Sequence, residues 1–244
     1  MKVTDCVWEI DNLGVKTCEV VCENDEIIEE RELNDLEKTF KYIVVKVSKG
    51  LFRNFEILSK NGYIFNEAQL SVSKQFKNFV SNDKLVNYCL NKTYLSKCND
   101  KTELDFVLDK MNGVFDTDRI AINPNFGIDL GNKRYRNWID GEFGNSNFYL
   151  YRIMSNDSCV GFCSFKKHES YIDYQLGGLF DGYRNSGLGL IIPLCPYKHM
   201  LLSEGMEKLC CKTKISSNNP NVVNCYLYCG YRIDEVCYVF TKNL

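Results

Sequence analysis

Hydrophobic and polar positions in residues 1–80 follow the period of a strand and that of a helix in turn. Residues 16–23 (KTCEVVCE) look extended, and the β-branched run 42–48 (YIVVKVS) predicts a strand. Between them, residues 32–40 (ELNDLEKTF) have helical spacing. The segment FRNFEILSKNGY predicts a short amphipathic helix that ends at Gly62, and IFNEAQLSVS alternates as a further strand.

The stretch from 75 to 100 is polar and weakly periodic, and a cluster of Asn, Asp and Lys follows at 97–103. Loss of periodicity together with polar, turn-forming residues is typical of a junction between structural units. We therefore predict two units, residues 1–80 and residues 81–244.

The second unit predicts a longer series of elements. Helices are expected over 103–115 and 134–143, strands over 147–154, 159–167 and 169–180, a helix ended by Gly205, the strand KLCCKTKI, a helix capped near Asn219 and Pro220 and ended by Gly230, and the strand RIDEVCYVFTK. The three consecutive strands are consistent with an antiparallel meander.

Two windows of the chain resemble each other. YIVVKVS and KLCCKTKIS are each followed by a helix, a Gly-Tyr pair and a strand, IFNEAQLSV in the first window and RIDEVCYVF in the second. The order and the spacing are nearly equal. We interpret this as a structural repeat in which the first copy is the shorter one.

Composition excludes several classes of function. The chain has 244 residues, 45% of them hydrophobic, and a net charge of −2. Such a balance gives no electrostatic reason to expect nucleic-acid or membrane binding. The N-terminal residues MKVTDCVWEIDNLG lack the apolar core of a signal peptide, so we expect a cytoplasmic protein.

The thirteen cysteines do not have the spacing of a metal site. Three pairs, Cys18/Cys22, Cys159/Cys163 and Cys225/Cys229, are separated by three residues, whereas zinc sites favour Cys-x2-Cys. The only two histidines, His168 and His199, stand alone. We expect no metal, free buried thiols in a reducing compartment, and no Ser/His/Asp triad.

The loop FDGYRNSGLGL, residues 180–190, carries the clearest chemical signal. Two glycines spaced G-x-G allow another molecule to approach the main chain, and the apolar run that follows predicts a helix. The first amides of a helix have no partner within it, and together with the helix dipole they form an anion site. A tight surface turn is the alternative.

The Arg184-Asn185-Ser186-Gly187-Leu188-Gly189 loop after a strand, followed by Asn219, Tyr226 and Gly230-Tyr231, resembles the motifs of the acetyl-CoA-dependent GNAT N-acetyltransferases over residues 100–244. The resemblance implies an α/β (α+β) GNAT fold, with a mixed, mostly antiparallel central sheet flanked by helices. A truncated GNAT-like N-terminal domain would precede it.

The whole chain is also similar to the TDP-fucosamine acetyltransferases, a GNAT subfamily that acetylates dTDP-4-amino-4,6-dideoxygalactose for a surface polysaccharide. The similarity lies in Trp8-Glu9 with Leu13-Gly14-Val15, in Phe115 to Arg119, in Asn123-Pro124-Asn125-Phe126, and in Arg134-Tyr135 with Trp138-Ile139. It makes Arg119, Phe126, Arg134 and Tyr135 candidates for binding an amino-sugar nucleotide. The sequence leaves open whether the protein forms a homodimer.

The resemblance also assigns roles in the donor site. Acetyl-CoA is the expected co-substrate, its pyrophosphate held by the amides of residues 185–190, with Arg184 contributing mainly through its main chain and Asn219 through the later motif. A backbone N–H near Gly178 or Leu179 would stabilise the thioester oxygen. Tyr226 would protonate the leaving thiolate, and Asp173 or an ordered water would act as the base.

Two prolines depart from the family's pattern. Pro193 and Pro196 fall in the first two turns of the helix after the glycine loop, so we expect either a late helix start near Pro196 or a longer loop. Two rival functions also remain. The protein could acetylate another amine (an antibiotic, a polyamine or a peptide terminus), or it could bind acetyl-CoA without catalysis.

Overall fold

A computed structural model describes residues 1–23, 26–202 and 210–244. Ten strands form one mixed sheet. Their bounds are β1 Lys2–Asp5, β2 Thr17–Cys22, β3 Tyr42–Ser48, β4 Ile64–Gln75, β5 Tyr94–Lys97, β6 Phe148–Ser155, β7 Ser158–Lys167, β8 Tyr171–Leu179, β9 Cys210–Ser216 and β10 Arg232–Asn243. The order across the sheet is β1-β2-β3-β10-β4-β9-β8-β7-β6-β5.

Helices cover both faces of this sheet. They are α1 Trp8–Leu13, α2 Glu30–Thr39, α3 Phe52–Lys60, α4 Lys84–Lys92, α5 Lys101–Lys110, α6 Gly127–Glu142, α7 Ile191–Leu202 and α8 Pro220–Tyr228, with a 3₁₀ turn over Asp181–Tyr183. The largest core lies between β5–β9 and the helices α4, α7 and α8. Helices α5 and α6 enclose another core on β6–β8, and α2 and α3 enclose a third on β2, β3 and β10.

Most predicted elements are confirmed, including the meander β6–β7–β8, which is antiparallel throughout. The stretch 75–100 differs, because it forms α4 and β5. Asp83 starts α4 by accepting hydrogen bonds from the amides of Leu85 and Val86, a cap that compensates for weak periodicity. Gly205, the predicted end of α7, lies outside the described residues.

Helix α5 ends earlier than predicted, at Lys110 rather than Phe115. Gly113 has a φ of +78°, a left-handed conformation that glycine adopts without strain and that a helix cannot continue through. The following residues leave the helix and form turns up to Gly127. They become available to line a site above the sheet.

The predicted late start of the proline-containing helix near Pro196 is wrong, since α7 begins at Ile191. Pro193 is its third residue, where an N–H would have no partner within the helix. Pro196 lies inside the helix and removes only the N–H that would donate to the carbonyl of Ile192.

The predicted repeat is present, and each copy places its last strand beside the first strand of the other copy. The segments β3-α3-β4 and β9-α8-β10 match element for element at an offset of 168 residues, from 42 to 210, from 52 to 220 and from 64 to 232. Strand β10 lies between β3 and β4, and β4 lies between β10 and β9. The division into units 1–80 and 81–244 stays a prediction about the sequence, while the sheet runs continuously through both.

Contacts across the exchange follow the same symmetry. Lys242 in β10 donates to the carbonyl of Asn61 at the end of α3 (2.8 Å), and Lys74 in β4 donates to the carbonyl of Cys229 at the end of α8. Cations at a helix C-terminus compensate its exposed carbonyls and its dipole. Each repeat therefore completes the helix end of the other.

The buried His199 makes the stability of the largest core dependent on pH. Its ring is fully buried and stacks on Phe165 at 4.7 Å, and its Nδ1 lies 3.0 Å from the hydroxyl of Tyr151. Burial lowers the pKa of His199 to about 4. An unfolded histidine titrates near pH ~6.5, so between these values the unfolded chain binds a proton that the folded protein does not.

We therefore expect acid to destabilise the protein through this residue. The free energy of unfolding should be lower at pH ~5 than at pH ~7.5 by about 2 kcal/mol from His199 alone. Urea unfolding at both pH values, on wild type and on His199→Asn, isolates this contribution because the variant cannot titrate. Equal pH dependence in the two proteins would contradict the prediction.

Candidate active site

The candidate site begins where β8 and β9 separate. The two strands pair in parallel from Tyr171 and Cys210 to Asp173 and Lys212, and then diverge. The last link between them is the hydroxyl of Thr213, which donates to a β8 carbonyl at 2.7 Å. The result is a fork that opens toward the C-terminal ends of both strands.

A β-bulge in β8 accompanies this fork. On the β7 side, pairing passes from Tyr174 to Leu176, so Gln175 is an extra residue without a partner of its own. An extra residue bends a strand and increases its local twist. Because the bend comes directly after the last paired residues, it turns the end of β8 away from β9.

A cavity of about 540 Å³ occupies the fork. Its wall combines the diverging halves of β8 and β9, the glycine loop, the two helices α7 and α8, and the turns after α5. The lining residues include Val114, Phe115, Asp116, Thr117, Asp118, Tyr135, Tyr174, Gln175, Leu176, Gly177, Gly178, Leu179, Arg184, Gly189, Lys214, Ser216, Asn219, Val222, Cys225 and Tyr226. The volume lies within the range that small-molecule sites occupy.

Pairing with β7 determines which amides of β8 face the fork. The amide of Phe180 donates to the carbonyl of Val160 (2.9 Å), and successive residues of an antiparallel ladder point alternately toward and away from the partner strand. Gly178 therefore points to β7, whereas the N–H groups of Gly177 and Leu179 point into the fork. Of the two amides predicted to stabilise an oxyanion, Leu179 has the suitable direction.

The glycine loop lies beside the cavity and lines it with Arg184 and Gly189, but not with residues 185–188. Gly187 has a φ of +78°, and a side chain there would meet nothing within 4 Å. The amides of Asn185, Gly187 and Gly189 donate no hydrogen bond within the described part of the chain. Because α7 starts directly afterwards, its dipole adds to these donors. The loop has the properties of an anion site.

Arg184 directs its charge elsewhere. Its guanidinium donates to the carboxylate of Asp116 at 2.8 Å and to the carbonyl of Gly113. These contacts tie the loop to the turns after α5, whose Val114 packs directly over Gly178. The side chain thus holds a wall of the cavity, and the donors that stay free in the loop are main-chain groups.

Tyr226 of α8 lies on the cavity wall. It is 4% exposed, and its ring packs against Tyr231 at 4.8 Å between centroids. Burial raises the pKa of Tyr226 well above its usual value, so the phenol keeps its proton at neutral pH. Its hydroxyl makes no hydrogen bond to any residue that the structure describes. It can donate to a ligand in the cavity.

Asn219 lines the cavity and also caps the N-terminus of α8. Its side chain accepts the amide of Val222 at 3.1 Å and so caps α8, as the sequence predicted. Its Nδ2 lies 3.4 Å from the hydroxyl of Thr117. The cap fixes the start of the helix that carries Tyr226.

Asp173 lies beside the cavity rather than on its wall. It is the last residue of β8 that pairs with β9, and its Cα partners are Lys166 and Lys212. Burial raises the pKa of Asp173, while His168 and neighbouring lysines act in the opposite direction. A carboxylate with a raised pKa suits a base, but its position requires a water or a hydroxyl between it and a ligand.

Of the predicted acceptor-binding residues, only Tyr135 lines the cavity. Its hydroxyl donates to Asp118 at 2.7 Å. Phe126 instead packs edge-on against Tyr42 at 4.9 Å, in a core under β3 and β10. The structure does not bring these two aromatic residues together.

The two predicted arginines are engaged in ion pairs. Arg134 contacts Glu9 of α1 at 2.6 Å, and Arg119 contacts Glu67 of β4 at 3.5 Å. All four side chains are largely buried. Paired in this way, the arginines hold α6 and the turns before it against the N-terminal half.

Sequence reasoning missed Ser216 and the turns 114–118, which also line the cavity. The turns carried a signal, since Gly113 predicts a helix end, but the prediction extended α5 past it. Ser216 ends β9 without any motif around it, so only the three-dimensional structure identifies it.

The other repeat has no comparable site. Strands β2 and β3 stay paired along their whole length, from Thr17–Tyr42 to Cys22–Val47, so no fork opens. At the offset of 168 residues, Tyr226 corresponds to the buried Leu58, and Asn219 corresponds to Leu51. An apolar side chain thus replaces each polar group.

Neither a metal site nor a membrane span is seen. Across residues 1–23, 26–202 and 210–244, no group of three or more His, Cys, Asp or Glu side chains could hold a metal ion. No helix within these same ranges has the length and apolar character needed to cross a bilayer. All thirteen cysteines are free thiols.

No family model matches the sequence, and no curated protein matches it. Solved structures do. One is a GCN5-related N-acetyltransferase from Sphaerobacter thermophilus, with a TM-score of 0.59, 9% identity and coverage of 88% of this chain and 65% of that one. Another, from Kribbella flavida, gives a TM-score of 0.58 at 10% identity, covering 93% of this chain and 81% of that one.

A third is a tandem GNAT protein from the clavulanic acid biosynthesis pathway, with a TM-score of 0.54 at 10% identity, covering 93% of this chain and 75% of that one. These similarities give no support to the TDP-fucosamine acetyltransferases in particular. Identities of this size establish the fold alone. The chain has the fold of the GCN5-related N-acetyltransferases, in a mixed sheet flanked by helices.

Proposed function

We propose that the protein is an acetyl-CoA-dependent N-acetyltransferase whose active site is the fork between β8 and β9. The observation that carries the proposal is one cavity whose wall includes Gly189 of the glycine loop, with a free amide, and the buried phenol of Tyr226. The amides suit a pyrophosphate, and the phenol suits a leaving thiolate. Fork, loop and phenol all lie in the C-terminal half of the chain, between Tyr171 and Tyr228.

The residues present fit acetyl-CoA. The amides of Asn185, Gly187 and Gly189 would hold the pyrophosphate, and the free edge of β8 would pair with the amides of the pantetheine arm as an added strand does. Bound acetyl-CoA supplies the acetyl thioester. The N–H of Leu179 or Gly177 would then stabilise the negative charge that develops on the thioester oxygen.

Tyr226 would act as the acid. The acceptor amine forms the new C–N bond, the C–S bond breaks, and the phenol gives its proton to the departing sulfur. The amine loses a proton to a base. Asp173 is the proposed base, acting through an ordered water because it lies beside the cavity.

The acceptor is the finer part of the proposal. The resemblance of the linker favours an amino-sugar nucleotide, with dTDP-4-amino-4,6-dideoxygalactose as the first compound to test. The ion pairs of Arg119 and Arg134 favour a second class, because these arginines have no charge left over for a diphosphate. That class is another amine, such as an antibiotic, a polyamine or a peptide terminus.

A turnover screen tests the function. The protein is incubated with acetyl-CoA and each of four amines: the amino-sugar nucleotide, spermidine, an aminoglycoside and a short peptide. Products are detected by mass spectrometry, because the thirteen free thiols of the chain would interfere with a thiol-reactive reagent. We expect one amine to gain an acetyl group. A raised melting temperature with acetyl-CoA but no acetylated amine would favour the binding module instead.

A further inference from the structure

The pseudo-symmetry of the chain draws attention to a pair of residues, Ser216 and Glu67, of which Ser216 lines the cavity. Ser216 donates its hydroxyl hydrogen to the carboxylate of Glu67. The same two residue types recur at the offset of 168, as Ser48 and Glu235. Yet the Ser48 and Glu235 side chains make no hydrogen bond within the described part of the chain. The pair is formed where β9 and β4 meet beside the cavity, and not at the corresponding place where β3 and β10 meet.

The hydrogen-bonding capacity of Ser216 is almost used up. A serine hydroxyl has one donor and two acceptor positions. The donor goes to Glu67, and one acceptor position takes the amide of Asn218 at 3.1 Å. One lone pair remains. Because Ser216 lines the cavity, this oxygen can only accept a hydrogen bond from a ligand.

Glu67 is held so that it cannot turn away. It is 3% exposed, and Arg119 lies 3.5 Å from its other carboxylate oxygen. A buried carboxylate with a cation on one oxygen and a hydroxyl on the other has a fixed orientation. Glu67 belongs to β4, the strand that the N-terminal half places beside β9.

We infer that Ser216 binds an N–H of the acceptor amine and that Glu67 is its positioning residue, contributed by the N-terminal half. This inference rests on the proposed function. An acceptor-only oxygen selects a ligand that presents an N–H or O–H donor, and it disfavours a ligand that presents a phosphate or carboxylate oxygen there. The exchanged strand thus gives the shorter repeat a part in substrate recognition.

Ser216→Ala tests the contact directly, because it leaves the pair of Glu67 and Arg119 in place. The probe is the amine of the screen with the highest kcat/KM. Loss of a contact made equally in ground and transition states raises KM and leaves kcat unchanged. Loss of one hydrogen bond should raise the acceptor KM about tenfold. The Kd for acetyl-CoA, measured by calorimetry, should not change. Ser216→Thr keeps the hydroxyl and should restore the KM.

Glu67→Gln tests the positioning role. Its amide oxygen still accepts from Ser216 but without charge, so the KM should rise about threefold or less. Since Glu67 acts through Ser216, the double variant should resemble Ser216→Ala alone. The matched controls are Ser48→Ala and Glu235→Gln, at the positions that the offset of 168 relates to Ser216 and Glu67, and both should have the wild-type KM.

Three results would overturn the inference: an unchanged KM in Ser216→Ala, a loss that Thr does not restore, or an equal loss of acetyl-CoA affinity. If the screen finds no acetylated amine, the proposed function fails on its own. Binding of spermidine to the CoA-loaded protein by calorimetry then replaces turnover, and equal affinities of wild type and Ser216→Ala would again overturn the inference.

Discussion

Replacing Tyr226 with Phe should lower kcat by about 10²-fold or more while the Kd for acetyl-CoA stays within a few-fold. The substitution removes one hydroxyl that has no partner in the described protein, and it keeps the ring against Tyr231. Packing should therefore change little. If the phenol protonates the departing sulfur, the loss falls on the transition state, and kcat and kcat/KM decrease together.

Tyr63→Phe is the matched control for this experiment. Tyr63 is equally buried, at 3% exposed, and it follows the helix end of the other repeat as Tyr231 does here. The control should keep wild-type turnover. Near-normal turnover in Tyr226→Phe would leave the residue a packing role only. Loss of acetyl-CoA binding in that variant would assign it to the donor site rather than to the chemistry.

Gly187→Val should abolish the stabilisation that acetyl-CoA gives to the protein. The φ of +78° at Gly187 is a conformation that a β-branched residue avoids, so the loop must change its course even though a side chain meets no obstacle there. The free amides of the loop would then point elsewhere. At a ligand concentration about 100 times Kd, wild type gains about 2.7 kcal/mol, which raises the melting temperature by roughly 5–10 °C.

Gly50→Val separates binding from backbone strain. Gly50 has a φ of +90°, also in open space, but it lies in the repeat without a fork. Both variants should lose a similar amount of stability, about 1–2 kcal/mol, and only Gly187→Val should lose the thermal shift. An equal shift in wild type and in Gly187→Val would remove the loop from the phosphate site.

Local patterns predicted much of this protein. The strand-helix-Gly-Tyr-strand repeat is visible in the sequence, and the structure confirms it with elements of equal length at a constant offset. The cap at Asn219 and the glycine-rich loop before α7 follow from residue types at fixed spacing. The chemistry assigned to the loop and to Tyr226 stays a prediction until it is measured.

Hydrophobic periodicity alone did not predict the helix bounds correctly where a cap, a proline or a glycine turn also acts on the helix. Helix α4 was not predicted because its sequence is weakly periodic. The helix begins at the N-cap residue Asp83. The prolines predict a late start of α7, but Pro193 lies in the first turn, which needs no amide donor, and Pro196 removes a single hydrogen bond inside the helix. At Lys110 the sequence continues with helix-forming residues, and the turn at Gly113 ends the helix nonetheless.

The sequence by itself determined the elements, the repeat and the loop, because periodicity, caps and positive-φ glycines act over a few residues. Only the tertiary structure decided that β4 and β10 exchange places, that Arg119 faces Glu67, and that Ser216 rather than Arg134 reaches the cavity. A hydrophobic pattern states which face of a strand is buried but not which strand lies beside it. Partners such as Ser216 and Glu67, far apart in the chain, are chosen by the pairing of whole strands, and no local pattern records that choice.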